Sequence, residues 1–456
     1  MLASTCRKRF AERAKRPLVI LLSGRSFGFR RRSCCSVQEL HSRTLSSLPK
    51  TLDVNAEKSK WNSSSSSSSR RQPVVAVGIS GGVDSSVAAL LLKRQGYQVF
   101  GLYMRNWDSS DEAGSGNCTA DQDYEDAQRV CKHLGIELFH VDYQKRYWVQ
   151  VFESFMHDIS LGLTPNPDLS CNQFIKFDAL LEHAIQMGAD NLATGHYARL
   201  HRPQSGGAVQ LLRGADYDKD QSYFLASVGA AALERVQFPV GSLLKPEVRE
   251  LAVSEGLFTA SKRSSAGICF IGRRNFQDFI AEYVELKPGP FVSVDGHADL
   301  GMHIGIAAYT HGQRAGISGV PEAFYVAGKD VQNNIVFVAP GADHPALFSN
   351  CAVADSPFWI SSETPKALKD GKPLKCKFKA RYRQHLEECV VCFSNSTSRE
   401  ALSVRFTHPL RAVTPGQALV LYDGDVCLGA SILSYPGPSL FEQRLGECNQ
   451  GAILMS

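Results

Sequence analysis

The run Val74-Val75-Ala76-Val77-Gly78-Ile79, followed at once by Ser80-Gly81-Gly82-Val83-Asp84-Ser85-Ser86, constrains this chain more than any other stretch. Six small or β-branched apolar residues read as a buried strand, and two adjacent glycines end it. Ser86 to Gln95 then reads as a helix, with Val87, Leu90 and Leu91 to one side and Gly96 as its stop. Tyr97 to Met104 reads as a second strand. A strand–helix–strand opening calls for a parallel sheet. The pattern continues with helices over Tyr124–Leu134, Tyr147–Leu161 and Phe174–Met187, and strands over Ile136–Val141 and Asn191–Thr194. The expectation is a doubly wound α/β domain over 73–272, with its ligand at the carboxyl ends of the strands.

The glycine turn has a specific chemistry. Paired glycines let backbone amides turn inward, and with the positive end of the following helix they form an anion cradle. Gly78, Ile79, Ser80, Gly81, Gly82, Val83, Asp84 and Ser85 are the candidate phosphate-binding residues, and Ser86 adds another hydroxyl. Asp84, in the first helical turn, is placed to hold Mg²⁺. The lysine of a G-x-x-x-x-G-K-[ST] loop is missing, and the G-x-G-x-x-G dinucleotide pattern is not present. The stretch resembles the PP-loop of ATP pyrophosphatases. That resemblance implies an adenine nucleotide alpha hydrolase-like fold and ATP as cofactor. Met104 reads either as core or as an adenine contact, and Gly195 as a point of close backbone approach.

The chain has 456 residues, which predicts two or three domains. Its net charge of +5 invites a nucleic-acid reading. Yet 16 of the 50 Lys and Arg, but only 4 of the 45 Asp and Glu, lie in residues 1–72, leaving 34 basic against 41 acidic residues in the body. RNA must therefore be held by local patches, not by bulk charge. The leader, with Arg30-Arg31-Arg32, many serines and few acids, fits an organellar transit peptide, for the mitochondrial matrix or alternatively the plastid stroma. Leu18 to Leu22 is too short to span a bilayer, so no membrane is expected. Ser63 to Ser69 reads as a flexible linker. In a reducing matrix the 13 cysteines are expected as free thiols.

Two of those cysteines stand in motifs. In Thr164-Pro165-Asn166-Pro167-Asp168-Leu169-Ser170-Cys171-Asn172, the prolines stiffen a loop. Asn172 is read as the cap of a helix starting near Gln173, which puts Cys171 at a helix N-terminus where thiolate is favoured. Asp168 is a candidate acid or base. Cys171 reads equally as a buried structural cysteine. Cys269, in Gly267-Ile268-Cys269-Phe270-Ile271-Gly272, is flanked by Lys262, Arg263, Arg273 and Arg274, a setting expected to lower its pKa.

These motifs, with Ala193-Thr194-Gly195-His196-Tyr197, Lys219-Asp220-Gln221-Ser222-Tyr223-Phe224, Arg381-Tyr382-Arg383 and Thr414-Pro415-Gly416-Gln417, resemble the tRNA-specific 2-thiouridylases over about 76–433. The resemblance implies that ATP adenylates the C2 oxygen of the wobble uridine, releasing pyrophosphate and later AMP. It implies that Cys269 carries a persulfide from a cysteine desulfurase or sulfur-relay partner, and that Cys171 frees the sulfur by forming a disulfide with Cys269. A soft persulfide attacking an activated carbonyl suits this chemistry. It assigns Asn166, Pro167 and Asp168 to the target base, and His196, Lys219, Asp220, Gln221, Arg381, Tyr382 and Gln417 to tRNA, in isoacceptors such as those for Lys, Glu and Gln. Arg381 with Tyr382 suits phosphate contact plus stacking.

Beyond residue 285, short alternating runs separated by turns such as Asp295-Gly296 and Asp423-Gly424 predict a β-rich central domain over 273–345 and a C-terminal β-barrel over 346–436, with 437–456 a loose tail. Cys389-Val390-Val391-Cys392 lies in a strand pattern with no second pair at ribbon spacing, so neither zinc nor an iron–sulfur cluster is expected. Asp108, Asp111 and Glu112 read as a solvated acidic loop. Two other classes compete. A PP-loop enzyme adenylating a small molecule would need neither cysteine, and a non-catalytic RNA-binding protein would need neither Asp84 nor the thiols.

Overall fold

The chain is described by a computed structural model over residues 71–107, 119–204, 206–263, 268–272, 274–296, 298–394 and 401–445. The leader and the acidic loop with Asp108, Asp111 and Glu112 lie outside these residues.

The first seven strands are β1 (Val74–Gly78), β2 (Gln98–Arg105), β3 (Leu138–Asp142), β4 (Asn191–Ala193), β5 (Ala198–His201), β6 (Gln210–Arg213) and β7 (Val236–Gln237). Five form a sheet in the order β3-β2-β1-β4-β7, and every pairing in it is parallel. Val75, Ala76 and Val77 of β1 are fully buried, as a central strand covered on both faces must be. Helix α1 (Val83–Arg94) lays Val87, Ala88 and Leu92 onto the sheet beside Val130 and Leu134 of α2 (Thr119–Leu134). The turn between β1 and α1 thus places the glycine loop at the carboxyl end of the sheet, as the doubly wound pattern requires.

The helical run after β3 is more irregular than its periodicity predicts. An α segment Gln144–Tyr147 passes through a π turn, Trp148–Phe152, into a second α segment, Glu153–Ser160. The next helix starts at Pro167, not near Gln173: α over Pro167–Ser170, π over Cys171–Leu180, then α over Leu181–Gln186. Its cap is Asn166, whose side chain accepts from the Asp168 amide at 3.1 Å, with Pro167 at the first helical position. Asn172 is no cap. It is buried inside the helix and donates to the Phe224 carbonyl at 2.9 Å.

The central region holds β8 (Gly289–Ser293), β9 (Asp299–His303), β10 (Phe324–Asp330) and β11 (Ile335–Pro340), in the order β10-β11-β8-β9. The C-terminal strands are β12 (Phe348–Trp359), β13 (Leu374–Lys379), β14 (Glu387–Phe393), β15 (Ala401–Arg411), β16 (Ala418–Asp423) and β17 (Val426–Pro436). They run β12-β15-β14-β13-β16-β17, and a β12–β17 pairing closes the barrel. The β5–β6 hairpin of the first domain adds itself to β17 through Leu212↔Val426 and Leu211↔Cys427. Residues 437–445 are not loose: Ser349 Oγ donates to the Gly437 and Pro438 carbonyls, and Ser439 bridges to Ser349. Residues 446–456 lie outside the description.

Candidate active site

The glycine loop is held by its own side chains. Ser85 Oγ accepts from the Ser80 amide at 3.2 Å and donates to the Gly82 carbonyl at 3.1 Å, and Ser86 Oγ donates to the same carbonyl at 2.8 Å. Two of the three serines expected to face phosphates therefore shape the loop as well. Gly81 has φ +72°, and a Cβ there would lie 2.4 Å from the Asp123 carbonyl oxygen. Gly195 comes in from β4, and a Cβ on it would lie 2.6 Å from both Asp84 C and Ser85 N. Only glycine fits this close crossing over the first turn of α1, so β4 packs backbone to backbone on the glycine loop. Gly78 and Ile79 form its floor, and Val83 is buried beneath it. Met104 is half-buried at the end of β2, against the cluster that contains Cys171 and Phe270.

Asp84 is already engaged. Lys245 Nζ lies 2.5 and 2.7 Å from its two carboxylate oxygens, and Tyr197 donates its hydroxyl at 2.7 Å. A Mg²⁺ ion at this carboxylate has to displace the ammonium. Lys245 is not legible from local pattern, because 161 positions separate the partners.

Cys171 and Cys269 are brought to one wall. Phe270 is fully buried among Phe152, Phe155, Trp107 and Phe279, with ring centroids 5.2, 5.2, 5.7 and 5.7 Å away. This plug fixes its neighbour Cys269, which stays exposed at the surface. Cys171 lies in the same cluster, buried. Asp168, Cys171 and Cys269 all act electrostatically on the buried phenol of Tyr147.

The expected thiolate character is corrected. Loss of water pushes the Cys171 thiol up to about 12, and the Lys176 ammonium opposes this only in part. Cys171 is not at a free helix N-terminus but four residues inside a continuous helix. Cys269 is also raised: the packed floor behind its thiol removes water, Lys176 opposes, and Asp168 adds to the rise. The flanking cations do not lower it. Lys262 is paired with Asp123 and Asp126, and Arg274 with Glu282 and the Phe270 carbonyl. Arg273 and residues 264–267 lie outside the described residues.

Lys176 is the residue the sequence reading missed. In an α-helix a residue five positions on points away, but the wider π winding brings Lys176 back toward the face of Cys171. Its charge bears on Asp168, Cys171, Cys269 and His196 alike. Burial raises the Asp168 carboxyl above its usual range, with Lys176 opposing. His196 packs between Phe177 and Phe238, and its Nδ1 is 2.7 Å from Thr194 Oγ1. Desolvation, then Lys176, keep its imidazole neutral.

The residues assigned to tRNA divide into two groups. Arg381 is exposed, although its guanidinium donates to the Arg411 and Ala412 carbonyls. Tyr382 is half-buried against Phe224 at 4.5 Å, and Lys219 is half-exposed. These three face outward. Asp220 does not. Its side chain is fully buried and takes bonds from Arg213, Lys379 and the Gly214 and Ser222 amides, so it fastens the first domain to the barrel and cannot touch RNA. Gln221 accepts from the Tyr197 amide, and Gln417 Nε2 donates to the Thr164 carbonyl at 2.6 Å, tying the barrel to the loop before Asn166. Pro167 is buried, so it sets the helix start. Cys389 lies 3.6 Å from Cys376 on the neighbouring strand, and among the described residues no three His, Cys, Asp or Glu side chains are grouped to hold a metal ion.

Family models match three consecutive regions: a tRNA methyl transferase HUP domain over 73–273, a tRNA methyl transferase PRC-barrel domain over 277–340, and an aminomethyltransferase beta-barrel domain over 349–433. The chain is 47% identical over 363 residues to the tRNA-specific 2-thiouridylase MnmA of Alkaliphilus oremlandii, covering 79% of this chain and 96% of that protein. It is 47% identical over 361 residues to its namesake in Bacillus subtilis, covering 79% and 94%. The Pseudomonas aeruginosa PAO1 protein of the same name is 47% identical over 369 residues, covering 80% and 95%.

Proposed function

Because the chain belongs to the tRNA-specific 2-thiouridylase family, we propose that it uses ATP to replace the C2 oxygen of the wobble uridine of tRNA with sulfur. The observation that carries this reading is that Cys171 shares one packed cluster with Tyr147, Ile268 and Phe270, the last two flanking Cys269, in the domain that also holds the glycine loop. The methyl transferase wording of the family models does not fit as well. Moving a methyl group from a sulfonium needs neither a phosphate cradle nor two thiols.

The roles follow from position. The cradle from Gly78 to Ser85, with Gly195, holds the nucleotide's phosphates, and Met104 borders the adenine. ATP supplies the adenylyl group that turns the C2 oxygen into a leaving group. Cys269, exposed, receives sulfur as a persulfide from a cysteine desulfurase or sulfur-relay protein. Its terminal sulfur bonds to C2 as AMP departs. Cys171 then attacks the Cys269 sulfur. The Cys171–Cys269 disulfide forms, the S–S bond to the base breaks, and the base keeps its sulfur as a thione; a cellular dithiol later reduces the enzyme. The buried Cys171 thiol has to lose its proton for that step, and the Lys176 charge is the local help. Mg²⁺ accompanies the nucleotide, and Asp84 is its proposed ligand once Lys245 gives way. Arg381, Tyr382 and Lys219 hold the tRNA of isoacceptors such as those for Lys, Glu and Gln, and neutral His196 offers a hydrogen bond. No zinc or iron–sulfur cluster enters the reaction. The leader's composition supports work in the mitochondrial matrix, with the plastid stroma as the alternative. No helix among the described residues is long and apolar enough to cross a membrane.

The test is thiolation of unmodified tRNA with a persulfide donor, read by nucleoside mass spectrometry. Cys269→Ser is expected to abolish 2-thiouridine while tRNA-dependent adenylation, read as pyrophosphate release, persists. Thiolation by that variant, or pyrophosphate release indifferent to tRNA, would overturn the reading.

A further inference from the structure

The glycine loop contains no lysine, but a lysine reaches it from elsewhere. Lys262 Nζ donates to the Gly81 carbonyl at 3.1 Å, to Asp123 at 2.7 Å and to Asp126 at 2.6 Å. An ammonium has three protons, so all three are used. Asp123 and Asp126 stand in the first turns of α2, which packs so closely on the loop that the Asp123 carbonyl occupies the space beside Gly81. Arg249 holds the other end of the arrangement, donating to the Ala260 carbonyl at 2.5 Å and the Lys262 carbonyl at 3.1 Å. The backbone of Lys262 is thereby fixed, and its long side chain reaches from that anchor to the glycine loop.

Two carboxylates at the rim of an anion cradle oppose the entry of a polyphosphate, unless a cation stands between them. Lys262 is that cation, hydrogen-bonded to both carboxylates and to the Gly81 carbonyl of the loop. We infer that Lys262 is the side chain that receives the β- and γ-phosphates of ATP, exchanging its carboxylate contacts for phosphate oxygens while screening Asp123 and Asp126. This rests on the reading that the glycine loop binds ATP. It gives the site a way to prefer ATP over its product, since AMP lacks both phosphates and gains nothing from Lys262.

The test is calorimetric binding of a non-hydrolysable ATP analogue, and separately of AMP, to the full chain with Mg²⁺ present. Lys262→Met is expected to weaken the ATP analogue at least tenfold, about 1.4 kcal/mol, and to change AMP less than about twofold. Lys262→Arg keeps a cation and is expected to recover most of the loss. An equal loss for both nucleotides would make Lys262 a structural tie between loop and α2, and unchanged binding of both would remove it from the site. Either result overturns the inference. If Lys262→Met does not fold, as read by its melting curve, Lys262→Arg carries the test: it must hold the ATP analogue more tightly than Lys262→Gln, with AMP equal for the two. Failure of the wild-type chain to bind either nucleotide would instead count against the ATP reading itself.

Discussion

Lys245 closes on Asp84 with its ammonium shared between both carboxylate oxygens, 2.5 Å from one and 2.7 Å from the other. The lysine side chain is 10% exposed and the aspartate 31%. Removing the carboxylate by Asp84→Ala leaves a nearly buried ammonium without its partner. That is expected to cost about 2 kcal/mol, at the low end for buried pairs because Asp84 still touches solvent. AMP formation is expected to vanish as well, since the loop loses the group that Lys245 and Tyr197 hold. Urea unfolding beside an AMP assay checks both. A variant of unchanged stability would show the pair to be an incidental contact.

The two thiols are expected to differ in reactivity although both are raised. Cys269 is exposed and Cys171 buried, so iodoacetamide at neutral pH should label Cys269 at least tenfold faster, as peptide mass mapping reads directly. Labelling of Cys171 should go on rising with pH toward its value of about 12 instead of levelling off near 9. Lys176→Met removes the charge that opposes both shifts, and should slow alkylation of both cysteines at a fixed pH. The sign of the stability effect follows. A thiol raised in the folded state favours folding below the unfolded value of 9.0, and that contribution is lost as pH climbs from 9 toward about 12. Unfolding free energy that rises over this alkaline window for Cys171→Ala relative to wild type would confirm it.

Much of this site was legible in the linear chain, and the parts that were not share a cause. The strand–glycine–helix opening follows from local periodicity and turn chemistry, so β1, α1 and the cradle were readable. Asn166 and Asn172 are both good helix caps by residue type, and only the buried contact of Asn172 with Phe224 decides between them. Lys176 was invisible because a π winding cannot be read from apolar spacing. Lys245 reaches its partner through the fold alone. The burial that raises Cys171 comes from an aromatic cluster assembled from Phe152, Phe270 and their neighbours, far apart in sequence.

Asp220 separates support from contact at the tRNA-facing side. Its carboxyl loses water on burial, which by itself would raise its pKa. The Lys379 charge with the Ser222 and Gly214 hydrogen bonds outweighs that, and the net shift is downward. A carboxylate held charged in this way stabilises the fold above the unfolded value of 3.8, and the contribution is lost as pH falls below it. Asp220→Ala strands Lys379 and Arg213, and is expected to cost about 3–5 kcal/mol. Tyr382→Ala should behave oppositely, with tRNA affinity down about tenfold, as for one lost base stack, and little change in melting temperature. Melting curves and filter binding on both variants settle which residue the RNA meets.

The crossing of Gly195 over α1 gives the most demanding prediction for the cradle. A methyl group there meets backbone atoms of Asp84 and Ser85 at 2.6 Å, and backbone cannot swing aside as a side-chain tip can. The first turn of α1 has to move, and with it the amides that face the phosphates. Gly195→Ala should therefore weaken ATP and AMP alike by at least tenfold, because both carry the α-phosphate that the turn holds. Gly272→Ala is the control, since Gly272 takes a left-handed backbone, at φ +60°, as Gly195 does not, and has nothing within 4 Å of a new Cβ. That change should cost only about 1 kcal/mol of backbone strain and leave nucleotide binding untouched. Calorimetry on the two variants distinguishes a steric lesion at the phosphate site from a general loss of glycine flexibility, and equal nucleotide affinity in both would show that Gly195 does not shape the cradle.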